Sequence, residues 1–262
     1  RLAEQSLNFT SARTAAPGTT LAITSLLTSR YPSQIHWSDL HGRDYPHRDP
    51  TPRFSELLTK GLVDTVNIQG LPGLGAEFGI TRGFGEEQVL RVRNGFADSR
   101  QMVPVLIQRL ERSQARPTFA YLHFNDAHAP YDSAGHAPTP RLGYLAEVRQ
   151  VDRELGRLLD YLEKSGLWGR TCIVLTADHG EAFGEHGKYF HATSLYEELL
   201  HVPLLIRVPG VAPRRVVEPV SLVDLDGSSY SVYVQDLREE AAQISQRKGY
   251  QRLGLLTLVE AA

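Results

Sequence analysis

Thr171-Cys172-Ile173-Val174-Leu175-Thr176-Ala177-Asp178-His179-Gly180-Glu181 is the stretch from which the fold follows. Its first seven residues form a short apolar run bounded by turn residues, the pattern of a strand buried within a sheet. The run passes directly into Asp178, His179, Gly180 and Glu181. Upstream lies the clearest helix of the chain: Leu142, Leu145, Val148, Val151, Leu155, Leu158, Leu159 and Leu162 mark one apolar face from Arg141 to Lys164, stopped at Gly166. Thr118 to Phe124 reads as a second buried strand, Leu62 to Ile68 as a third, and His201 to Val208 as one more. Asp98 to Arg112 reads as a helix. A further helix starts near Thr19, where Pro17 and Gly18 break the chain and Ile23, Leu26 and Leu27 follow at helical spacing. Strands alternating with helices predict an α/β fold with a mostly parallel sheet covered by helices on both faces, and such sheets bind ligands beyond the carboxyl ends of their strands.

The remaining segments are less regular. Residues 31 to 53 carry Pro, His and Asp without periodicity, and residues 69 to 85 contain six glycines; both read as surface loops. Leu2 to Leu7 reads as the end of a helix, so an upstream part is expected. After Asp226 the pattern weakens, with Leu237 to Ile244 as a helix and Leu253 to Leu258 as a strand. The expected division is a core over residues 1–225 and a tail over 226–262.

Composition narrows the function. Lys plus Arg number 28 against 30 Asp plus Glu, so no basic field exists to hold nucleic acid or anionic lipid. The single cysteine, Cys172, sits inside an apolar run, as a buried thiol rather than a reactive one, and permits no disulfide within the chain. No run of 18 apolar residues is present.

The chemistry gathers at the strand ends. Carboxylate oxygen and imidazole nitrogen suit Zn²⁺ or Mn²⁺, and Gly180 lets Asp178 and His179 bend toward one ion. Phe183-Gly184-Glu185-His186-Gly187 and His191 follow, and a second histidine-bearing stretch, His123 to Tyr131, leaves a different strand along the same sheet edge. At the start of the helix near Thr19, a threonine hydroxyl is either a capping group or a nucleophile activated by a cation and the helix amino terminus. Residue chemistry alone leaves Thr19 and Thr20 open between those roles.

The order of these pieces resembles the sulfatase-like branch of the alkaline-phosphatase superfamily over roughly residues 1 to 225. The resemblance is carried by the threonine-led helix, by His128-Ala129-Pro130-Tyr131, by Ala177 to His186 with His191, by Ser194 to Glu198 and Val202 to Ile206, and by Pro219 to Asp224. It implies a three-layer sandwich. It also implies a metal-dependent hydrolase of sulfate or phosphate esters, in which a nucleophile at a helix start shares a divalent cation (Zn, Mn, Ca or Mg) with Asp178 and His179. Thr19 falls on the nucleophile, with Thr20 as its alternative. His128 and His191 fall on groups that stabilise the transferring oxygens or protonate the leaving alcohol, and Glu181, His186 and Lys188 on outer supporting positions. Thr19-Thr20-Leu21-Ala22-Ile23 lacks the cysteine or serine motif that sulfatases convert to an aldehyde. A plain threonine points toward the phosphoester and phosphoglycol-transferring relatives. The relatives' first strand and its aspartate ligand are not found in this chain. A transferase acting on the same residues and a noncatalytic binding fold are the competing readings. The implied substrate is a small-molecule, glycan or lipid ester, and the implied location is extracytoplasmic, with any membrane contact through an upstream anchor.

Overall fold

The structure, a computed structural model, describes residues 1–92, 96–112, 116–132, 134–226 and the backbone of 253–259. The strands are β1 Leu7–Arg13, β2 Ser38–Leu40, β3 Arg43–Tyr45, β4 Asp64–Gln69, β5 Glu86–Val89, β6 Thr118–Phe124, β7 Thr171–Ala177, β8 Ala182–Phe183, β9 Tyr189–Phe190, β10 His201–Arg207, β11 Arg214–Val216, β12 Val220–Ser221 and β13 Leu253–Val259. The α-helices are α1 Thr19–Thr28, α2 Phe54–Lys60, α3 Ser99–Glu111, α4 Pro140–Lys164 and α5 Glu197–Leu200.

One sheet organises the molecule, in the order β11-β1-β10-β7-β13-β6-β4-β5, with β12 beside β1. The pairs within β7-β13-β6-β4-β5 are parallel, whereas β10 runs antiparallel to both β7 and β1. The sheet is mostly parallel, as expected, with β10 as its antiparallel strand. Every residue of β6 is buried, because both its faces are covered. Phe119 and Tyr121 face a core built with Ile23, Leu26 and Leu27 of α1, while Ala120, Leu122 and Phe124 face Met102, Val103 and Leu106 of α3 and Val151, Leu158 and Leu162 of α4. Helices on both faces make three layers, as α/β chemistry requires of a parallel sheet.

Register brings the loops of interest together. Val259 of β13 lies level with Phe124 of β6 and with Ala177 of β7, and Gln69 of β4 lies level with His123. The turns that open at Asn125 and Asp178 thus leave the same edge.

Three sequence readings are corrected. Leu2 to Leu7 is not the end of a helix: a single 3₁₀ turn at Ala3–Gln5 is followed by strand β1. The face of α4 differs at its start, where Leu142 and Leu145 are exposed and Gly143, Tyr144, Glu147 and Gln150 are buried. That half of the helix packs on the turn after β6 rather than on the apolar sheet. Cys172 is half-buried rather than buried. Leu253 to Leu258, expected as a strand, forms β13, while the helix expected over Leu237 to Ile244 lies outside the described residues.

Candidate active site

Gly18, in extended conformation, caps α1, and its carbonyl accepts the first helical bond from Ala22. Thr19 is therefore the first helical residue and its hydroxyl is released from capping. That hydroxyl donates to Nε2 of His179 across 3.0 Å. The direction follows from the other ring nitrogen. His179 Nδ1 lies 2.9 Å from the carbonyl of Gly180, which can only accept, so Nδ1 carries the proton and Nε2 of the neutral ring presents a lone pair.

The same logic fixes the other two imidazoles. His128 Nδ1 lies 2.7 Å from the carbonyl of Ala129, and His191 Nδ1 lies 3.2 Å from Oε1 of Glu181. Each donates through Nδ1. The ring of His191 sits 4.4 Å from that of His179 and 5.3 Å from that of His128, centroid to centroid. Glu181 is buried and is held a second time by the Tyr131 hydroxyl at 2.7 Å. A Tyr131-Glu181-His191 chain thereby ties the turn after β6 to the turn after β7. The peptide between Ala129 and Pro130 is cis, within that first turn.

Asp178 is the electrostatic anomaly of the site. It is 1% exposed, and neither carboxylate oxygen has a partner at hydrogen-bonding geometry. Burial pushes its carboxyl up to about 7, against the downward pull of backbone N–H groups, His191 and the Thr19 hydroxyl. A buried carboxylate without partners is costly unless a cation meets it. Its Oδ2 lies 3.4 Å from His179 Nε2. Neighbouring donors around one small divalent ion stand roughly 3.0–3.4 Å apart, so Thr19, His179 and Asp178 have the spacing and chemistry of a partial ligand set. Among the described residues, no group of three or more His, Cys, Asp or Glu side chains converges in that way. Gly180 makes the bend possible, because a Cβ there would run into the Glu198 carbonyl.

The structure gathers Thr19, Asp178, His179, His128 and His191 at one edge, as the sequence pattern anticipates. His186 lies apart: it is exposed, bonds Glu198 at 2.9 Å and stacks on Tyr196. Lys188 is also exposed. Two supporting residues were missed by sequence reasoning. Asp126 is buried, accepts from the Ser99 backbone and hydroxyl and from Gln150, and burial raises it to about 6. His123 is fully buried, which pushes it down to about 3 and keeps it neutral. Their signal was the strand-end position alone, which does not separate a ligand from a brace.

Comparison with known proteins bears on this arrangement. The family model described as Sulfatase matches residues 1–228. Arylsulfatase K of Xenopus laevis is 39% identical over 119 residues, 45% of this chain and 21% of that protein. N-acetylglucosamine-6-O-sulfatase of Bacteroides thetaiotaomicron is 52% identical over 66 residues, 25% of this chain and 12% of that protein. The matched stretches thus span about a fifth or less of these relatives. Among solved structures, the phosphonate monoester hydrolase of Agrobacterium radiobacter superposes with a TM-score of 0.66 at 18% identity, covering 86% of this chain and 66% of that one. The lipoteichoic acid synthase LtaP of Listeria monocytogenes gives 0.66 at 18% identity, covering 86% and 62%. At those identities the likeness is one of fold. It is the fold of sulfatases and alkaline phosphatases, as the sequence resemblance implied.

Proposed function

The chain belongs to the sulfatase family, and from that premise we propose that it hydrolyses sulfate or phosphate esters of a small molecule or glycan, with Thr19 as nucleophile. The observation that carries this reading is the Thr19 hydroxyl, at the amino end of α1 and 3.0 Å from the lone pair of His179, beside the partnerless carboxylate of Asp178. Thr19 Oγ1 forms a bond to sulfur or phosphorus as the bond to the ester oxygen breaks. The departing alcohol takes its proton from His128 or His191 in the doubly protonated, imidazolium form. Water then cleaves the Thr19 ester and restores the hydroxyl. Asp178, His179 and Thr19 would hold a divalent cation of the kind sulfatases use, which when bound supplies charge neutralisation for the nonbridging oxygens and a lower hydroxyl pKa. His179 has one lone pair to give, so it either receives the Thr19 proton or serves as a ligand. An extracytoplasmic location belongs to the same proposal; among the described residues no helix is long and apolar enough to cross a membrane.

The test compares 4-nitrophenyl sulfate with 4-nitrophenyl phosphate, using the chain and its Thr19→Ala variant, with metal content measured on both. Turnover should fall at least about a thousandfold in Thr19→Ala, while bound metal stays within about half of the parent value. Full activity in Thr19→Ala would remove Thr19 from the nucleophile's role, and the preference between the two esters names the substrate.

A further inference from the structure

Among the described residues, seven other than glycine have a left-handed backbone, and three of them lie on one short chain of side chains. Tyr131, at φ 59°, donates its hydroxyl to Glu181. Phe190 and Ala192, at φ 65° and 59°, flank His191, which donates to the same carboxylate. That region is unfavourable for any residue with a Cβ, and most of all for side chains as bulky as those of Tyr131 and Phe190. Such strain persists only where the surrounding structure over-determines it, and it gathers where position matters. The contacts that hold it here are specific. Strand β9 pairs with β8 through Phe190 and Ala182, and the Ala192 N–H donates to the Pro17 carbonyl at 2.7 Å. Pro17 leads into the helix that opens with Thr19. The segment bearing His191 is thus fixed to the nucleophile's loop at one point and, through Glu181, to the turn bearing His128 at another.

Glu181 is the joint of this arrangement. Its side chain is shielded from solvent, and its two oxygens meet two donors, the Tyr131 hydroxyl at 2.7 Å and His191 Nδ1 at 3.2 and 3.3 Å. A carboxylate accepts from both at once. An amide in its place has one accepting oxygen and one donating nitrogen, and so turns a donor against one of the two partners. The carboxylate therefore fixes both the tautomer and the angle of the His191 ring, whose centroid lies 4.4 Å from that of His179 and 5.3 Å from that of His128. We propose that Glu181 is a positioning residue for the transfer reaction: it acts through His191, and the Tyr131 hydroxyl and the strained residues on either side of the ring keep that histidine in place between His179 and His128. The inference rests on the ester-hydrolase reading and adds to it the device that holds one of its histidines.

The test uses whichever 4-nitrophenyl ester the parent prefers, with melting curves and metal content measured on every variant. Glu181→Gln should lower kcat about ten- to a hundredfold with KM within about twofold. Added to His191→Ala, it should cost less than about a further twofold, because the group through which it acts is gone. The same factor in both backgrounds would mark a merely structural role, and loss of bound metal in step with kcat would mark an effect on the ligands; either result overturns the proposal. Ala192→Gly relieves strain while keeping the N–H that bonds Pro17. It should melt at or above the parent temperature and yet lose about fivefold or more in kcat. Leu62→Gly is the control: Leu62, at φ 63° and 63% exposed, precedes β4 at the sheet edge opposite the site, so the same relief should leave kcat at the parent value. Parent kcat in both glycine variants overturns the part assigned to strain. Nitrogen NMR of the imidazoles gives a readout without turnover. The His191 signal, identified by its absence from His191→Ala, should carry its proton on Nδ1 in the parent and lose that state in Glu181→Gln. If no ester is turned over, the hydrolase reading fails by itself and the spectrum alone decides: loss of the Nδ1–H state supports the clamp, and an unchanged signal sinks it.

Discussion

Asp178 concentrates the physical argument at the scale of single residues. Its carboxyl, near 3.8 in an unfolded chain, sits at about 7 in the folded one because it is buried. The folded state therefore keeps a proton that the unfolded state releases between about pH 4 and pH 7. The associated stability is present in full below about pH 4 and is lost as pH rises through 7, with a slope of at most about 1.4 kcal/mol per pH unit. His123, pushed down to about 3, contributes the opposite slope over part of that range, so the raw pH profile mixes the two. The difference between the metal-stripped chain and Asp178→Asn isolates Asp178. Asp178→Asn should melt at a higher temperature than the parent at pH 8 and approach it at pH 5, and Zn²⁺ or Mn²⁺ should raise the melting temperature of the parent only. Equal metal stabilisation of both proteins would place the cation elsewhere. Asp178 and His179 were legible in the sequence because a strand-to-turn transition carrying a carboxylate, an imidazole and a glycine is a local pattern. The tie from Tyr131 through Glu181 to His191 was not, because it joins residues that only the sheet brings together.

At the scale of elements, α4 shows how a correct helix can carry a misread face. Leucine spacing identifies the helix and its carboxyl half, where Leu158, Leu159 and Leu162 are buried as expected. In the amino half the buried residues serve the turn after β6: Glu147 accepts from Ala134 N, Gln150 donates to Asp126, and Gly143 lies against Tyr131. Periodicity counts apolar residues, so a polar face buried against a functional turn escapes it. The two glycines of α4 give a test with opposite signs. Alanine in place of helical glycine ordinarily stabilises by up to about 1 kcal/mol, and at Gly156 nothing stands within 4 Å of the added carbon. At Gly143 that carbon would lie 2.6 Å from the Tyr131 carbonyl and 3.0 Å from its Cβ. Gly156→Ala should raise stability in urea melts. Gly143→Ala should lower it by about 1–3 kcal/mol and should impair turnover as well, since Tyr131 holds Glu181. β1 failed at the same scale for a different reason: its pairing with β10 shifts register between Phe9 and Ala12, so the inward residues Leu7, Phe9 and Ala12 break the alternation by which a strand is recognised.

At the scale of the whole molecule, strand order is the part that no local pattern conveys. β10 comes near the end of the described core yet lies between β7 and β1, and β13 comes from the last ten residues yet lies between β7 and β6. Apolar content announced each as a strand; the pairing partners follow from closing one sheet over two cores. The sequence division into a core of 1–225 and a separate tail accordingly becomes a different proposal: residues 253–259 fold with the core as one cooperative unit. All seven residues of β13 are in parallel register with both neighbours, from Leu253 beside Thr118 and Thr171 to Val259 beside Phe124 and Ala177. Removing that strand would strip the facing backbone groups of β6 and β7 of their partners in the middle of the sheet, and those groups are costly to leave unsatisfied where water is excluded. A chain ending at residue 252 should therefore lose several degrees or more of melting temperature and expose the β6 and β7 turns to limited proteolysis. A synthetic peptide of residues 253–262 added to it should restore protection near Asn125 and Asp178. A truncated chain that melts cooperatively at the parent temperature would show that the core closes without β13 and that the original boundary at 225 is the correct one.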